Sequence, residues 1–205
     1  MAEINLFFIF IGSIGFDLLI GDPRFIIHPV QIIGIYIKQI TNFFIHNFKK
    51  NKSILFWGGL FIALSTIATS FVIGKIIELI IIQSKSNLIF GILIFLGLSS
   101  CLASKSLISS VKEISNLIND NITDQKNEQI VKEKVQRIVS RDVSAASKEH
   151  LLRSSSESLT ENSVDGIFGP LFWIFIGTVF IKFSIFLPGP LSLGFSYKAI
   201  STLDS

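Results

Sequence analysis

Residues 54–73, ILFWGGLFIALSTIATSFVI, form a run of twenty residues without a charged side chain. A helix of about 20 apolar residues is long enough to cross the hydrocarbon core of a bilayer. Over the whole chain 16% of the residues are charged, whereas soluble domains average about a quarter. The sequence therefore predicts an integral membrane protein in contact with the lipid bilayer.

Three other apolar runs predict further membrane helices, and Asp17 and Lys182 are the only charged residues within them. The approximate spans are 4–21, 54–73, 86–104 and 166–187. Pro188-Gly189-Pro190 divides the last run, since proline removes a backbone donor and interrupts helices. We expect an all-α fold, a polytopic membrane helix bundle formed by residues 1–205 as a single membrane domain, with a helical insertion at 105–165.

Lysine and arginine are unevenly distributed between the connecting segments. The first loop holds Arg24, Lys38 and the cluster Lys49-Lys50-Asn51-Lys52, and the insertion holds most of the others. The opposite side receives Lys75 and Lys85, with Lys198 in the tail. Because cytoplasmic loops are enriched in basic residues, we expect a multi-pass protein of the cell membrane with both large loops in the cytoplasm. The net charge of +3, without a basic stripe, predicts no nucleic-acid partner.

Apolar residues at helical spacing predict helices outside the spans. Phe25–Phe48 is expected to be an interfacial or re-entrant helix, and Lys105–Arg137 a helical hairpin that turns at Asn119-Asp120-Asn121. Another helix is expected from an N-cap at Ser147 to about Asn162. Gly166 and Gly169-Pro170 are then expected to reset the backbone before the last span.

The helix after Ser147 carries charged residues at intervals of four. Arg153, Glu157 and Glu161 share one face, and Asp165 continues the stripe if the helix extends that far. Like charges at this spacing gain a purpose if they bind a divalent cation, because magnesium prefers one or two carboxylates with phosphate oxygens and water. The alternative is that Glu157 pairs with Arg153 while Glu161 remains in water.

A second polar block surrounds the end of the first span. Asp17 lies within that span, so it is either a functional residue or the partner of another buried polar group. Asp22-Pro23 must turn the chain, and Arg24 offers a planar fork of donors for phosphate or carboxylate, with lipid headgroup anchoring as the alternative. His28, before a proline, is either a general base or a structural hydrogen-bonding residue.

Three ordered blocks resemble the CbiB/CobD family of cobalamin biosynthesis, the adenosylcobinamide-phosphate synthases. The first block extends from Asp17 through Gly21-Asp22-Pro23-Arg24 and His28-Pro29 to Gly34. The second extends from Arg141-Asp142 through Glu157, Glu161-Asn162 and Asp165-Gly166 to Trp173. The third is Ser201-Thr202-Leu203-Asp204-Ser205.

The resemblance implies an enzyme that attaches aminopropanol, or its phosphate, to a propionate carboxylate of adenosylcobyric acid. The product is adenosylcobinamide or its phosphate, the new bond is an amide, and the cofactors implied are ATP and Mg²⁺. Glu157, Glu161 and Asp165 are the expected metal ligands and, with His28, the expected catalytic residues. The expected substrate-binding residues are Asp17, Asp22, Arg24, Arg141, Asp142 and Asn162.

Two other classes of function stay open from the sequence: a membrane sensor or accessory protein of the AmpE-like type, and a subunit of a corrinoid transporter. Transport is less favoured because the polar blocks lie at the predicted membrane margin, whereas transporter sites usually lie at mid-span. An oligomer is also compatible with the sequence. Members of the resembled family are about half as long again, so we expect this chain to lack a C-terminal part.

Overall fold

A computed structural model describes residues 6–21, 29–49, 51–83, 87–119, 125–136, 138, 139, 142, 143 and 145–204. Within these residues all regular secondary structure is helical, as the sequence predicts. The helices are α1 (Leu6–Leu19), α2 (Pro29–Phe48), α3 (Lys52–Gln83), α4 (Asn87–Ser99), α5 (Ser104–Asn119), α6 (Gln125–Gln136), α7 (Lys148–Ser163), α8 (Gly169–Phe183) and α9 (Pro190–Asp204). One π-helical turn, Val164–Phe168, joins α7 to α8.

Three stretches of the described chain are long and apolar enough to cross a membrane: Lys52–Ile80, Gly91–Asn116 and Glu149–Phe183. They overlap three of the predicted spans. The first predicted span corresponds to the shorter apolar helix Leu6–Leu19. The fold is therefore an all-α membrane helix bundle. Most of its large apolar side chains lie exposed on the outer surface.

Helix α3 continues ten residues beyond the predicted end at Ile73. The sequence places Lys75 in the following loop, but both Lys75 and Glu78 lie inside the helix. Glu78 is 3% exposed and its carboxylate forms an ion pair with Lys75 at 3.5 Å. The two charges are tolerated in an apolar helix because they bind each other and the backbone of a neighbouring segment.

That neighbouring segment is the start of α9. The Glu78 Oε1 atom accepts the backbone N–H groups of Leu191 at 2.8 Å and Ser192 at 2.9 Å, and Oε2 accepts that of Gly189 at 3.2 Å. These donors belong to the first turn of α9, where backbone N–H groups have no partner within the helix. Glu78 therefore caps α9 from a distance of more than a hundred residues along the chain.

Helices α8 and α9 form a hairpin, which corrects the predicted position of the tail. The sequence assigns Lys198 to the side opposite the large loops, but α9 packs along α3 and α8 and returns Lys198 to the end of the bundle that carries α5 and the π-turn. Helix α8 ends at Phe183 and α9 begins at Pro190, so the chain reverses over residues 184–189.

Glycines allow the start of α9 to approach its neighbours closely. A Cβ atom on Gly74 of α3 would lie 2.6 Å from the Ser192 Cα, and one on Gly177 of α8 would meet the backbone of Gly189. Small residues at such contacts let membrane helices pack backbone to backbone. The tight packing explains why Leu191 and Ser192 are fully buried.

Helices α5, α6 and α7 bury a second apolar cluster, separate from the cluster of the membrane helices. It consists of Ile114, Val131, Val135, Val139, Val143 and Leu151. The predicted hairpin of α5 and α6 is present. Asn119 of the predicted turn is the last residue of α5, and Asp120 and Asn121 lie outside the described residues. Val111 of α5 and Ile130 of α6 lie outside this cluster and are 40% and 37% exposed.

Candidate functional site

A cleft of about 280 Å³ opens where α5, the π-turn and α9 meet. The predicted residues Asn162 and Asp165 line it from the end of α7 and the π-turn. The other polar lining residues are Ser106 and Ser110 of α5 with Lys198, Ser201 and Thr202 of α9. The cleft therefore brings residues of the second and third sequence blocks together.

Asp165 is held in the cleft by a hydrogen bond from α9. The Tyr197 hydroxyl donates to Asp165 Oδ1 at 3.1 Å. Helix α9 lies outside the three candidate membrane spans. Partial burial raises the pKa of Tyr197, and the hydrogen bond and the negative charge of Asp165 raise it further, so the hydroxyl keeps its proton and remains a donor at neutral pH.

The π-turn gives Asp165 its position and explains why Pro170 does not break the helix. A proline at position 170 removes the donor for the carbonyl four residues earlier, which is that of Gly166. In the structure the Gly166 carbonyl oxygen accepts the backbone N–H of Ala103 at 2.9 Å, and the Gly169 N–H reaches back five residues to Val164. The backbone change expected at Gly166 and Gly169-Pro170 takes the form of this π-turn, Val164–Phe168. The helix is continuous from Lys148 to Phe183 because a neighbouring segment supplies the missing donor.

The first sequence block reaches the same region through α1. Asp17 is 2% exposed, and its Oδ2 accepts the Ser104 backbone N–H at 2.7 Å, which caps α5. In return the Lys105 ammonium donates to the carbonyl oxygens of Leu19 and Ile20 at 2.7 and 2.9 Å. These contacts match one of the two roles open for Asp17, that of a partner for a buried polar group, and its role in substrate binding stays a prediction.

Gly21 ends this contact and directs the chain into the predicted Asp22–Arg24 turn. Its φ of +68° lies in the left-handed region, which residues with a Cβ atom rarely adopt. A Cβ atom there would also lie 2.9 Å from the Lys105 Cδ. Asp22, Arg24 and His28 lie outside the described residues, but the chain enters them beside Lys105, one residue before Ser106 of the cleft.

The acidic stripe of α7 divides into two parts. Arg153 Nε and Glu157 Oε1 form an exposed ion pair at 3.0 Å, which matches the pairing alternative from the sequence. Glu161 is also exposed, and neither it nor Glu157 is among the cleft-lining residues, whereas Asp165 is. Ser147 caps α7 as predicted, since its hydroxyl oxygen accepts the His150 N–H at 3.3 Å.

Asp142 lies exposed in the segment between α6 and α7, and Arg141 lies outside the described residues. The segment is tied to both helices: the Val143 N–H donates to Gln136 Oε1 at 3.0 Å, and the Ser158 hydroxyl donates to the Ile138 carbonyl oxygen. The Arg141-Asp142 pair therefore follows a segment held against α7, the helix that carries Glu157 and Glu161.

Lys198, Tyr197, Ser106 and Ser110 were missed as site residues from the sequence. The missing information was the return of α9, which the sequence treated as a tail. In a helix, Ser201 and Thr202 share one face with Lys198, because they follow it by three and four residues. This spacing can be read from the sequence.

The structure does not gather the three predicted metal ligands into one group. Among the residues it describes, no three side chains of His, Cys, Asp or Glu lie close enough together to hold a metal ion. Magnesium often binds only one or two carboxylates, with phosphate oxygens and water as its other ligands. Glu157 and Glu161 alone would supply that number of carboxylates. Magnesium binding by Glu157, Glu161 and Asp165 stays a prediction.

Residues 10–205 match the family of CobD/Cbib proteins. The chain belongs to this family. The match covers all three sequence blocks and every helix that forms the cleft, so the CobD/Cbib resemblance seen in the motifs is confirmed.

Curated relatives agree with the family match. The chain is 31% identical over 195 residues to the "Cobalamin biosynthesis protein CobD" of Synechocystis sp., which covers 95% of this chain and 53% of the relative. It is 32% identical to the proteins of the same name from Clostridium acetobutylicum and Pelobacter propionicus, each over 92% of this chain and 54% and 52% of the relative. The chain spans about half the length of the curated relatives it matches. No solved structure matches it.

Proposed function

We propose that this CobD/Cbib chain acts in cobalamin biosynthesis, in the step that joins aminopropanol or its phosphate to a propionate carboxylate of adenosylcobyric acid by an amide bond. The observation that carries the proposal is the meeting of the three sequence blocks at one end of the bundle. Asp165 comes from the second block, Ser201 and Thr202 from the third, and the Gly21 end of the first block lies against Lys105 beside the cleft.

Amide formation from a free carboxylate requires activation, because a carboxylate is a poor electrophile. ATP supplies that activation in the proposed reaction, with Mg²⁺ screening the phosphates. Glu157 and Glu161 would hold the metal from the exposed face of α7. Their position outside the cleft leaves Asp165 for a different group.

Arg24 and Arg141 are the proposed ligands of the corrinoid carboxylate. A guanidinium binds a carboxylate through two parallel hydrogen bonds, which gives both charge compensation and orientation. Asp22, Asp142 and Asn162 would position polar groups of the substrates. His28 is the proposed general base for the attacking amine, with a neutral imidazole that accepts the proton released as the amide forms.

The test is growth of cells that lack this step and are supplied with cobyric acid. A version of the protein extended to the length of the curated relatives should restore growth. The chain of 205 residues is assayed beside it to learn whether this part of the protein is sufficient for activity. Failure of the extended version, despite normal amounts in the membrane, would contradict the enzyme proposal.

The same cells separate the two other classes of function. A corrinoid transporter subunit would be needed for uptake of cobinamide as well as of cobyric acid, whereas the proposed enzyme is dispensable when cobinamide is supplied. An AmpE-like sensor or accessory protein would form no one-to-one complex with adenosylcobyric acid or with the amine. In that case growth on cobyric acid would not depend on the cleft residue Asp165.

A further inference from the structure

Helices α2 and α3 pack against each other as a hairpin whose charge is unbalanced. Residues 23–77 contain no aspartate or glutamate, and their lysines and arginines are Arg24, Lys38, Lys49, Lys50, Lys52 and Lys75. Lys75 pairs with Glu78, whereas Lys49 and Lys52 form no ion pair with any residue that the structure describes. Unbalanced positive charge of this kind attracts an anionic partner from outside the chain.

The tip of the hairpin, formed by Phe48, Lys49, Asn51 and Lys52, is held in a fixed shape. The Asn51 N–H donates to the Phe48 carbonyl oxygen at 2.9 Å, and the Asn51 Oδ1 atom accepts the Ile54 N–H at 3.2 Å. Lys49 and Lys52 flank Asn51, and both are exposed. The positive charges are therefore concentrated at one end of the hairpin, on a turn that needs no rearrangement to bind a ligand.

Exposed aromatic side chains lie next to the tip. Phe56 and Trp57, near the start of α3, are 69% and 65% exposed, and their rings contact each other edge to face. On α2, Phe43 is 58% exposed. Aromatic side chains are enriched at the membrane–water interface, and lysine side chains extend from there to the headgroups. The combination of exposed lysine with exposed phenylalanine and tryptophan is typical of a surface that contacts lipid headgroups.

The length of α3 places the tip in the headgroup layer of the membrane. From Lys52 to Glu78 the helix extends about 39 Å at 1.5 Å per residue, and a bilayer with its headgroups is about 40–45 Å thick. With the Lys75–Glu78 ion pair at one margin, Lys52 lies at the other. This is the predicted cytoplasmic side, and the cytoplasmic leaflet carries the negative surface potential of anionic lipids.

We propose that the tip of the α2–α3 hairpin binds an anionic phospholipid. Lys49 and Lys52 bind the charged headgroup, and Phe56 and Trp57 contact the adjoining acyl chains. Lys50, between the two lysines in the sequence, adds a third positive charge. A zwitterionic phospholipid has the same phosphate, but its own ammonium group is repelled by the lysines, so the tip discriminates by the net charge of the headgroup. This lipid site is independent of the reaction proposed for the cleft.

The experiment measures quenching of Trp57 fluorescence by brominated lipids, with the full chain in phosphatidylcholine vesicles. The chain contains two tryptophans, so Trp173→Phe leaves Trp57 as the single reporter. Brominated phosphatidylglycerol or brominated phosphatidylcholine is added in increasing fractions, and the quenching gives their relative binding constants. We expect phosphatidylglycerol to bind about tenfold more tightly at low salt. The preference should shrink at about 0.5 M salt, because salt screens exposed charges.

Substitutions identify the groups that cause the preference. Methionine at the three lysine positions should abolish it, and arginine at the same positions, which keeps the charge, should retain it; the methionine variant is Lys49→Met, Lys50→Met and Lys52→Met. Lys112→Met, the same change at an exposed position of α5, should leave the preference unchanged. Trp57→Phe leaves Trp173 of α8 as the reporter, and we expect the two lipids to quench that residue equally.

Four results would overturn the inference: equal quenching of Trp57 by the two lipids, a preference that salt does not change, a preference that persists in the methionine variant, and the same preference at Trp173. In the first case an acidic segment of a partner protein would become the candidate ligand of the tip. If the methionine variant loses its helical circular dichroism, the arginine variant and the salt dependence decide. Loss of the preference in the arginine variant would then contradict a site that depends on charge.

Discussion

Tyr197 donates a hydrogen bond to Asp165 across 3.1 Å, although the two residues are 32 positions apart in the chain. The contact exists because α8 and α9 form a hairpin and because Gly169 leaves room for the tyrosine ring. A Cβ atom on Gly169 would collide with the ring and hydroxyl of Tyr197. This one position therefore controls the geometry of the acid in the cleft.

We predict that Gly169→Ala displaces Tyr197 from Asp165 and lowers the pKa of Tyr197 towards its ordinary value, because the hydrogen bond to Asp165 and its charge both contribute to the raised pKa. Gly59→Ala on α3 is the matched control, since nothing lies within 4 Å of a Cβ atom there. Titration of the tyrosinate absorbance tests the change. An equal pKa of Tyr197 in the two variants would show that Gly169 does not control this contact.

The ionisation of Tyr197 provides a second readout. Burial, the hydrogen bond to Asp165 and its charge raise the pKa of Tyr197 from an ordinary value of about 10. We predict that Asp165→Asn lowers this pKa towards the ordinary value, because it removes the charge. Tyrosinate absorbance in a Tyr36→Phe background, which leaves Tyr197 as the single tyrosine, measures it directly.

The same pKa shift predicts the direction of alkaline unfolding. The unfolded chain releases the tyrosine proton at a lower pH than the folded chain, so the contribution of Tyr197 to stability is complete below about pH 10 and is lost as the pH rises beyond it. Asp165→Asn should reduce this loss. A larger alkaline loss in that variant would contradict the assigned cause.

We predict that Glu78 stabilises the folded protein, although it is a charged residue inside an apolar helix. Glu78→Gln replaces one carboxylate oxygen by an NH₂ group, which would face the N–H donors of α9. A buried donor left without an acceptor costs about 1–3 kcal/mol, so we expect a lower thermal midpoint in detergent. Glu113→Gln, in an exposed pair with Lys134, is the control and should change the midpoint little.

The metal prediction is tested by Glu161→Gln in a version of the length of the relatives. Loss of one carboxylate should reduce turnover about tenfold or more and raise the magnesium concentration needed, because a barrier higher by about 1.4 kcal/mol slows a reaction tenfold. Glu149→Gln, on the first turn of the same helix, should have no such effect. Unchanged turnover and magnesium dependence would show that Glu161 is a solvated surface residue that does not bind the metal.

The predicted sidedness is tested by cysteine labelling after Cys101→Ser. Single cysteines at Asn51 and Asn127 should react only from the cytoplasm, and one at Phe186, in the turn between α8 and α9, only from outside. Reaction of Asn51→Cys from outside would reverse the topology. Reaction of Phe186→Cys from the same side as Asn51→Cys would contradict the α8–α9 hairpin.

The apolar runs and helical spacings were sufficient to predict the all-α bundle, the α5–α6 hairpin and the Ser147 cap, since these depend on local sequence. What local sequence did not reveal concerns positions where a distant segment supplies a hydrogen bond. Pro170 does not interrupt its helix because Ala103 serves the Gly166 carbonyl, and α3 passes Ile73 because its next charges bind the start of α9. Local patterns contain no information about such partners.

The candidate site shows the same division. The sequence selected Asn162 and Asp165, which line the cleft, from spacing and family motifs. Lys198 was missed because the sequence alone does not distinguish a helix that packs back into the bundle from a tail outside it. Only the contacts of α9 make that distinction. Glu157 and Glu161 were selected with Asp165 by their common interval, but only Asp165 lines the cleft, so a shared interval did not give a shared site.

The contact between Asp17 and Ser104 also sets an order of assembly. The carboxylate and its donor are 87 residues apart, and ribosomes add roughly 5–20 residues per second, so α1 waits about 4–17 seconds for its partner. During that interval Asp17 lies in an apolar helix without the Ser104 N–H. We therefore expect α1 to be fixed in the bundle only after α5 has emerged, although α1 precedes every other described helix in the chain.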